Sequence, residues 1–317
     1  MDIIINDSLD GRSVLDIIRR ELGVSRATLK HLKFMENGIM LNGEHVTVRR
    51  TVSTGDVLSI AVEDAQSPAE LTPSDISLDI AYEDENVVVP SKPADMPTHQ
   101  SFGHYGDTVA NALAYRYASK GIPFVFRPVN RLDKNTSGLL LIARNRLSAA
   151  FLFNAMKQKR INKQYVALLD GSLSTPVGET AIIDTYIRRT AKSIIVREVC
   201  AENEGGDRAI TEYTVLCKNS AYTLVRATPV TGRTHQLRVH FASLGAPILG
   251  DDMYGSPSEL ISRHALHSYF LSFPDADGKD DISVYSPLPC DMRSAVMLTL
   301  GGSLCEVNDE IIQKIMP

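Results

Sequence analysis

A polar, proline-interrupted segment divides the sequence into a small N-terminal part and a large C-terminal part. Residues 63–75 read Glu-Asp-Ala-Gln-Ser-Pro-Ala-Glu-Leu-Thr-Pro-Ser-Asp, a composition that suits a flexible tether. The wider stretch 51–91 has no Lys or Arg and nine acidic residues, Asp56, Glu63, Asp64, Glu70, Asp75, Asp79, Glu83, Asp84 and Glu85. Because 317 residues are also many for one compact core, we expect an N-terminal domain at 1–62, an acidic linker at 63–76 and a larger domain at 77–317.

The N-terminal part has the hydrophobic spacing of two short helices followed by short strands. Apolar residues recur at helical spacing across Arg12–Leu22, and a second run follows Ser25, whose hydroxyl suits a helix N-cap. Residues 38–60 alternate in the manner of strands, with Asn42-Gly43 and Gly55-Asp56 as turns. We therefore expect two helices and a small sheet before the linker.

The second expected helix carries three cations on one face, because Arg26, Lys30 and Lys33 recur at helical spacing. Such a face is either a solvated helix surface or a surface that binds phosphates. Residues 9–62 as a whole resemble the S4 RNA-binding module, a small unit attached to ribosomal proteins, tRNA synthetases and RNA-modifying enzymes. The segments that carry this resemblance are Arg12-Ser13-Val14-Leu15, Leu41-Asn42-Gly43 and Gly55-Asp56-Val57-Leu58. The resemblance implies that the three cations contact RNA.

The charge balance inverts between Arg127 and Tyr165, where a single carboxylate, that of Asp133, stands among cations. The nine cations of this window are Arg127, Arg131, Lys134, Arg144, Arg146, Lys157, Lys159, Arg160 and Lys163. Neighbouring cations favour the ionised form of a carboxylate, which is the form that acts as a nucleophile. The same pattern also fits a salt-bridged, structural Asp133 beside a hairpin, so the charges alone leave both interpretations open.

The residues around Asp133 resemble the active-site motif of the RluA family of RNA pseudouridine synthases. Asn130–Leu141 reads Asn-Arg-Leu-Asp-Lys-Asn-Thr-Ser-Gly-Leu-Leu-Leu, and the family pattern is Arg-Leu-Asp, two variable residues, then Thr-Ser-Gly-Leu-Leu. Further family-like segments follow in order, Tyr82–Val89 with Lys92-Pro93, Lys163–Ala167, Thr231–His240, Gly245–Tyr254 and Leu266-His267. The likeness spans residues 78–275 and implies an enzyme that converts uridine in RNA to its carbon-linked isomer, pseudouridine.

The resemblance also implies residue roles. Asp133 would attack either the ribose C1′ or the uracil C6, a choice that the sequence leaves open. Tyr165 would stack on the displaced uracil or help to remove the C5 proton, and Arg233 would pair with Asp133 and keep it ionised. Arg131 would fill the space left by an extruded base, and Lys163 would bind RNA. Plainer alternatives are a core tyrosine for Tyr165 and phosphate or backbone contacts for both arginines.

Two positions depart from the family pattern. Asn130 stands where the family usually has His, which puts a local hydrogen bond or RNA contact in doubt, because an amide reproduces only part of the donor and acceptor geometry of imidazole. Asp95 stands where the family usually has Gly after Lys-Pro-Ala, and we expect it to change a turn. Neither departure removes a group that the reaction needs.

The expected fold is α+β, with a mixed and mainly antiparallel sheet in the catalytic domain behind the small S4-like domain. The residues themselves support helices near 107–119 and 146–158 and strands at 194–200, 209–217 and 221–228. The segment Thr231–His240 reads as a strand, which would direct His235 and His240 to opposite faces and so argue against a metal pair.

Pseudouridine formation involves no redox change, so we expect no cofactor, and the scattered Cys200, Cys217, Cys290 and Cys305 predict no metal site. No apolar stretch approaches the roughly 20 residues that span a bilayer, and the N-terminal residues lack a secretory pattern, so we expect a cytoplasmic protein. The family suggests a monomer that acts on RNA, and the S4-like module favours ribosomal rather than transfer RNA by analogy. The rival interpretations are a non-catalytic RNA-binding or ribosome-assembly protein, which would lack one of the three site residues, and a glycosidic hydrolase, which usually needs a second carboxylate.

Overall fold

In a computed structural model of the chain, the elements form two sheets of unequal size. The structure describes residues 1–35, 37–61, 71–191, 193–276 and 280–304. Most of the expected linker, residues 63–70, therefore lies outside the described residues, as does Cys305. Within the described ranges no helix is long and apolar enough to span a membrane.

The N-terminal unit, residues 1–61, contains short helices and a four-stranded antiparallel sheet of order β1-β4-β2-β3. Its elements are β1 (Asp2–Ile4), α1 (Val14–Asp16), a π-helical turn (Ile17–Glu21), α2 (Arg26–Leu32), β2 (Ile39–Leu41), β3 (Glu44–His45) and β4 (Val57–Ile60). The predicted N-cap is confirmed, because the Ser25 hydroxyl accepts a hydrogen bond from the Thr28 backbone N–H. The predicted turn is confirmed as well, since Asn42 and Gly43 join β2 to β3 with φ angles of 51° and 82°.

The second sheet contains twelve strands in the described ranges. Its strands are β5 (Asp79–Glu83), β6 (Val87–Lys92), β7 (Arg127–Pro128), β8 (Ser137–Leu139), β9 (Ile142–Ala143), β10 (Asn162–Asp170), β11 (Thr180–Arg189), β12 (Arg197–Cys200), β13 (Asp207–Lys218), β14 (Tyr222–Pro229), β15 (Leu266–Phe273) and β16 (Ile282–Tyr285). The helices are α3 (Val109–Ala118), α4 (Arg146–Lys157), α5 (Gln236–Ser243) and α6 (Cys290–Leu304), with a short 3₁₀ turn at Glu202–Glu204.

The order along this sheet is β12-β11-β13-β14-β10-β15-β8-β6-β9-β7, with β16 beside β15 and β5 beside β6. Among the strand pairs of the described residues, β8 and β15 are parallel and the others are antiparallel. The expected mixed, mainly antiparallel sheet is thus present, and helices α3 and α4 form where the sequence predicted them.

Apolar cores cover both faces of the large sheet. Along β6 the side chain of Val88 enters one core while Val87 and Val89 enter the other, as expected of a strand buried on both faces. The first core includes residues of α3 and α6, and the second includes residues of α4 and of the N-terminal unit. The N-terminal unit therefore shares a core with the large sheet.

A close backbone contact fixes the N-terminal unit against α4. Gly23 has a φ of 63°, and a Cβ atom there would lie 2.9 Å from the carbonyl oxygen of Ala150 and 3.0 Å from the Cβ of Asn154. The amide Nδ2 of Asn154 donates to the carbonyl oxygens of Arg20 and Glu21. Because these bonds cap the end of the π-helical turn, they join the two units through main-chain atoms.

One strand prediction is wrong. The segment that holds His235 and His240 forms the N-terminal end and body of helix α5. Leu237, Val239 and Phe241 alternate with polar residues in the sequence, as in a half-buried strand. Every residue from Gln236 to Phe241 is buried, however, so the alternation of polar and apolar residues does not indicate which secondary structure forms here. The two histidines have different partners, with His240 bonded to Thr185 and Thr211 hydroxyls.

Three buried histidines make the stability of the fold sensitive to acid. Burial lowers the pKa of His240 and His267 to about 4 and that of His264 to about 3. In the unfolded chain each would titrate near 6.5, so between pH 6.5 and 4 the unfolded state binds more protons than the folded state. The contribution of these neutral histidines to the free energy of unfolding is therefore fully present above pH 6.5. It falls as the pH is lowered through this window, by about 1.4 kcal/mol per pH unit for each histidine.

We expect His240→Gln to reduce this pH dependence by about one proton, because glutamine keeps polar contacts to the two threonines but does not titrate. The measurement is the free energy of unfolding in urea at several pH values between 7 and 5. The exposed His45, changed to Gln, is the control and should leave the slope unchanged. An unchanged slope for His240→Gln would contradict the assignment of a neutral, buried imidazole.

Candidate active site

The loop that carries Asp133 runs from β7 to β8 and is held by buried polar contacts. The Lys92 ammonium is buried and donates to three carbonyl oxygens, those of Pro93, Met96 and Lys134, each at 2.8 Å. The Thr98 hydroxyl donates to the carbonyl of Leu132 at 3.0 Å. Burial lowers the pKa of Lys92 to about 7, and the carbonyl oxygens support the protonated form because each accepts one of its N–H bonds. Both sides of Asp133 are thereby tied to the same neighbouring loop.

Two motif residues fix the exit of this loop into the sheet. Gly138 has a φ of 108°, and a Cβ atom there would collide with the backbone of Ser268 on the parallel strand β15. Asn130, which replaces the expected His, accepts a hydrogen bond from the Leu141 N–H through its side-chain oxygen at 2.7 Å. Within the described residues its buried Nδ2 atom has no hydrogen-bond partner. The amide therefore supplies the acceptor that closes the loop.

Asp95 adopts a left-handed backbone conformation of the kind that glycine favours, at the position where the family usually has Gly. Its φ is 60°, in the left-handed region that Asp tolerates better than most residues. Its carboxylate lies 3.0 Å from the Lys134 ammonium. Asp95 therefore adds an ion pair to the loop of Asp133, and its effect on the turn relative to the family stays a prediction.

The guanidinium closest to Asp133 belongs to Arg238, on helix α5. Its Nη1 atom lies 3.6 Å from the Asp133 Oδ2 atom. Its Nε and Nη2 atoms donate to the two carboxylate oxygens of Asp251 at 2.7 and 2.8 Å. Arg238 and Asp251 are both buried, whereas 32% of the Asp133 side chain is exposed. Burial opposes ionisation of Asp251, but the Arg238 bonds more than offset it, so the pKa of Asp251 is lowered.

An aromatic ring and an imidazole complete the surroundings of Asp133. The Arg238 guanidinium lies over the Tyr254 ring, 5.0 Å from its centroid. The Tyr254 hydroxyl is 2.8 Å from the Nδ1 atom of His235, and the His235 Nε2 atom is 3.9 Å from Asp133. His235 has a φ of 57° at the N-cap of α5, an uncommon conformation for a residue with a side chain. Burial lowers the pKa of His235, so its ring is a neutral partner at neutral pH.

Tyr165 lies at the base of the site on strand β10. It is buried, its hydroxyl is hydrogen-bonded to the side chain of Ser268, and it is close enough to Asp133 for the carboxylate charge to act on it. Burial and that charge raise the pKa of Tyr165. The phenol is therefore neutral at neutral pH, and phenolate is scarce.

Arg233 does not pair with Asp133, which corrects the prediction from the sequence. Its side chain is 41% exposed, its Nε atom donates to the carbonyl of Arg208, and its Nη1 atom lies 3.7 Å from Asp207. Arg233 precedes α5, whereas Arg238 lies one and a half turns further on and faces the core. A strand interpretation of this segment gives no reason to prefer Arg238, although both arginines lie in the same family-like segment.

Comparisons with known proteins identify the family of the chain. A family model described as RNA pseudouridylate synthase matches residues 86–243. The uncharacterized RNA pseudouridine synthase YjbO of Bacillus subtilis is 36% identical over 276 residues, which cover 87% of this chain and 95% of that protein. The ribosomal large subunit pseudouridine synthase D of Borreliella burgdorferi is 37% identical over 240 residues, 73% of this chain and 72% of that one.

A solved structure, human RNA pseudouridylate synthase domain containing 1, superimposes with a TM-score of 0.55 at 29% identity, covering 67% of this chain and 84% of that chain. The chain belongs to the RluA-type pseudouridine synthase family. It is an enzyme that forms pseudouridine in RNA. The rival interpretations as a non-catalytic RNA-binding protein or as a hydrolase are thereby set aside.

The other residues that the sequence singled out in this synthase lie outside the Asp133 cluster. Arg131 is exposed two residues before Asp133, and Lys163 is partly buried on β10, where burial lowers its pKa. Arg26, Lys30 and Lys33 are exposed on or just after α2. Among the described residues no cluster of three or more His, Cys, Asp or Glu side chains could hold a metal ion.

We expect Arg238→Lys to lower kcat of the synthase by about a hundredfold or more, because an ammonium cannot bond both Asp251 oxygens and still reach Asp133. Arg233→Lys should change kcat by less than about threefold, since that side chain is exposed and remote from the carboxylate. Turnover is measured as pseudouridine formed in RNA, with near-ultraviolet circular dichroism as the check on folding. Equal losses of kcat in the two variants would show that Arg238 does not have a special role beside Asp133.

Proposed function

We propose that this synthase modifies uridines in ribosomal RNA, with Asp133 as the nucleophile. The observation that carries the proposal is a partly exposed carboxylate held beside a buried guanidinium. Because Arg238 is buried, water screens its charge only weakly, so its guanidinium attracts negative charge at Asp133, while the exposed part of the carboxylate is open to an incoming nucleotide. The name of the Borreliella relative, a ribosomal large subunit synthase, supports ribosomal RNA as the substrate class.

The reaction breaks the bond between uracil N1 and the ribose, turns the base, joins it through C5 and removes the C5 proton. Asp133 attacks either C1′ or C6, and both routes need an ionised carboxylate beside the glycosidic bond. The raised pKa of Tyr165 disfavours a phenolate base, because a general base works best with a pKa near the ambient pH. It supports instead a neutral ring that stacks on the uracil and donates or accepts one hydrogen bond.

Arg131 and Lys163 are proposed as RNA contacts around this site. Arg131 is exposed in the Asp133 loop, where its planar side chain is able to occupy the space that an extruded base leaves. Lys163 lies two residues before Tyr165 on the same strand, and its positive charge supports its assignment as an RNA contact. No resident metal or cofactor enters this scheme, because the isomerisation needs neither.

The N-terminal unit is proposed as an S4-like RNA-binding domain, with boundaries at 1–62, a linker at 63–76 and the catalytic domain at 77–317. Its helices, its small sheet and its three exposed cations support the proposal. Among the described residues Arg26, Lys30 and Lys33 form no ion pair with a carboxylate, which leaves their charges available to phosphates. A monomer working in the cytoplasm completes the proposal.

We expect pseudouridine at one or a few ribosomal sites to vanish when the gene is deleted and to stay absent when Asp133→Asn is returned to the deletion strain, because the amide cannot act as the nucleophile. The measurement is a chemical map of pseudouridine in total RNA. The control is Asp207→Asn, an exposed carboxylate outside the site, which should restore every site. Modification that persists at every site in the deletion strain would refute the proposal. Loss of pseudouridine only from transfer RNA would show that the substrate is transfer RNA and not ribosomal RNA.

We expect Lys30→Gln to reduce the salt dependence of RNA binding, because each phosphate contact that is lost lowers the slope of log K against log salt by about 0.7 to 0.9. Filter binding to a large-subunit ribosomal RNA transcript at 50 to 200 mM salt, roughly the range in which such contacts dominate, gives the slope. Lys120→Gln, an exposed lysine just after α3, is the matched control. The RNA-binding role of the N-terminal unit is wrong if both variants bind as the wild type does.

A further inference from the structure

The turn between β11 and β12 presents two neighbouring isoleucines to solvent. Ile194 is 79% exposed and Ile195 is 56% exposed. We call residues 193–196 the isoleucine tip. Two adjacent aliphatic side chains held out of the core form a small apolar surface that is available to a partner.

Hydrogen bonds give the isoleucine tip a fixed shape. The Ser193 hydroxyl oxygen accepts from the backbone N–H groups of Ile195 and Val196, each at 3.2 Å. The Arg197 guanidinium folds back and donates to the carbonyl oxygens of Ile194 and Ile195 at 3.1 and 3.0 Å. Because most backbone groups of the turn are bonded within it, the tip offers a partner mainly its apolar side chains.

A short chain of contacts joins the isoleucine tip to the nucleophile. The Arg197 N–H donates to the Tyr254 hydroxyl at 2.9 Å. That hydroxyl is bonded to His235, which approaches Asp133, and the Arg197 charge adds to burial in lowering the pKa of His235. The tip is therefore attached to the rim of the active site and does not belong to a distant part of the sheet.

The charges beside the isoleucine tip identify the kind of partner. Arg189 and Arg197 lie directly opposite each other where β11 and β12 pair at the base of the tip. Arg189 is exposed, and neither arginine forms an ion pair with a carboxylate among the described residues. Like charges placed opposite each other in a sheet repel, so an anion beside them would be stabilising. Nucleic acid supplies both the anion and the apolar surface, because its phosphates alternate with the faces of bases and riboses.

We propose that the isoleucine tip packs against the base and ribose next to the extruded uridine and keeps the local RNA structure open while Asp133 reacts. Extrusion of a base from folded RNA costs a few kcal/mol, and apolar side chains at an unstacked step offset part of such a cost. The inference rests on the proposed function and adds specific residues to it. Arg131, in the loop of Asp133, takes the place of the extruded base, whereas the tip covers the neighbouring nucleotide.

The test compares two RNA probes with the double variant Ile194→Ser, Ile195→Ser. One probe is an in-vitro transcript of large-subunit ribosomal RNA from the source cells, and the other is a short, unstructured oligoribonucleotide with the same mapped uridine. We expect kcat/KM to fall about tenfold to a hundredfold on the folded transcript. On the oligoribonucleotide, whose uridine needs no extrusion, we expect a change of less than about threefold.

Two further variants serve as controls. Ile182→Ser changes an isoleucine that is 66% exposed on β11 away from the tip, and it should leave both rates unchanged. The double variant Ile194→Leu, Ile195→Leu keeps the apolar surface and should retain most of the rate on the folded transcript. A serine variant as fast as the wild type on the folded transcript overturns the inference and leaves the proposed function intact, and that outcome also assigns the tip to a different class of partner.

Failure of the proposed function gives a different result. The wild type would then form no pseudouridine in either probe, and filter binding of the same folded transcript tests the tip by itself. A loss of affinity of about tenfold with the serine variant supports an RNA contact at the tip. Unchanged affinity refutes it.

Discussion

The bidentate ion pair between Arg238 and Asp251 is the interaction on which the active site depends. A buried guanidinium is stable only when its N–H groups are bonded and its charge is compensated, and Asp251 does both from a fully buried position. The fork leaves one Arg238 nitrogen, Nη1, to face Asp133. Asp251 also accepts from the N–H groups of Met253 and Tyr254, so one carboxylate orients the cation and the aromatic ring beneath it.

The active site is thus assembled from segments that are distant in sequence and are held by main-chain contacts. Lys92 bonds three carbonyls around the Asp133 loop, and Gly138 lets β8 approach β15 where a side chain would collide. The left-handed backbone of His235 stores strain that the surrounding bonds must offset. Such preorganisation limits the reorganisation that remains when a nucleotide arrives, and low reorganisation is a large part of electrostatic catalysis.

The sequence predicted the parts of the structure that local chemistry determines. Asp133 stood out because it was the one carboxylate among nine cations and lay in a family-like motif, and the Ser25 cap and the Asn42-Gly43 turn follow from local hydrogen bonding and backbone preference. The choice between Arg233 and Arg238 failed because the alternation in α5 mimics a strand in a helix that is buried on all sides. The pairing of Arg238 with Asp251 depends on tertiary packing, and the local spacing of polar and apolar residues does not predict it.

The contact of Gly23 and Asn154 has a consequence for how a substrate is chosen. Helix α4 contacts the N-terminal unit through Asn154. The same helix begins three residues after strand β9, which follows the Asp133 loop and β8 in the chain. The proposed RNA contacts of the two units are therefore held at a set distance from each other. An RNA that contacts both units must present two segments at that separation. The enzyme would then recognise the spacing of two segments in a folded RNA more than the nucleotide sequence around the uridine.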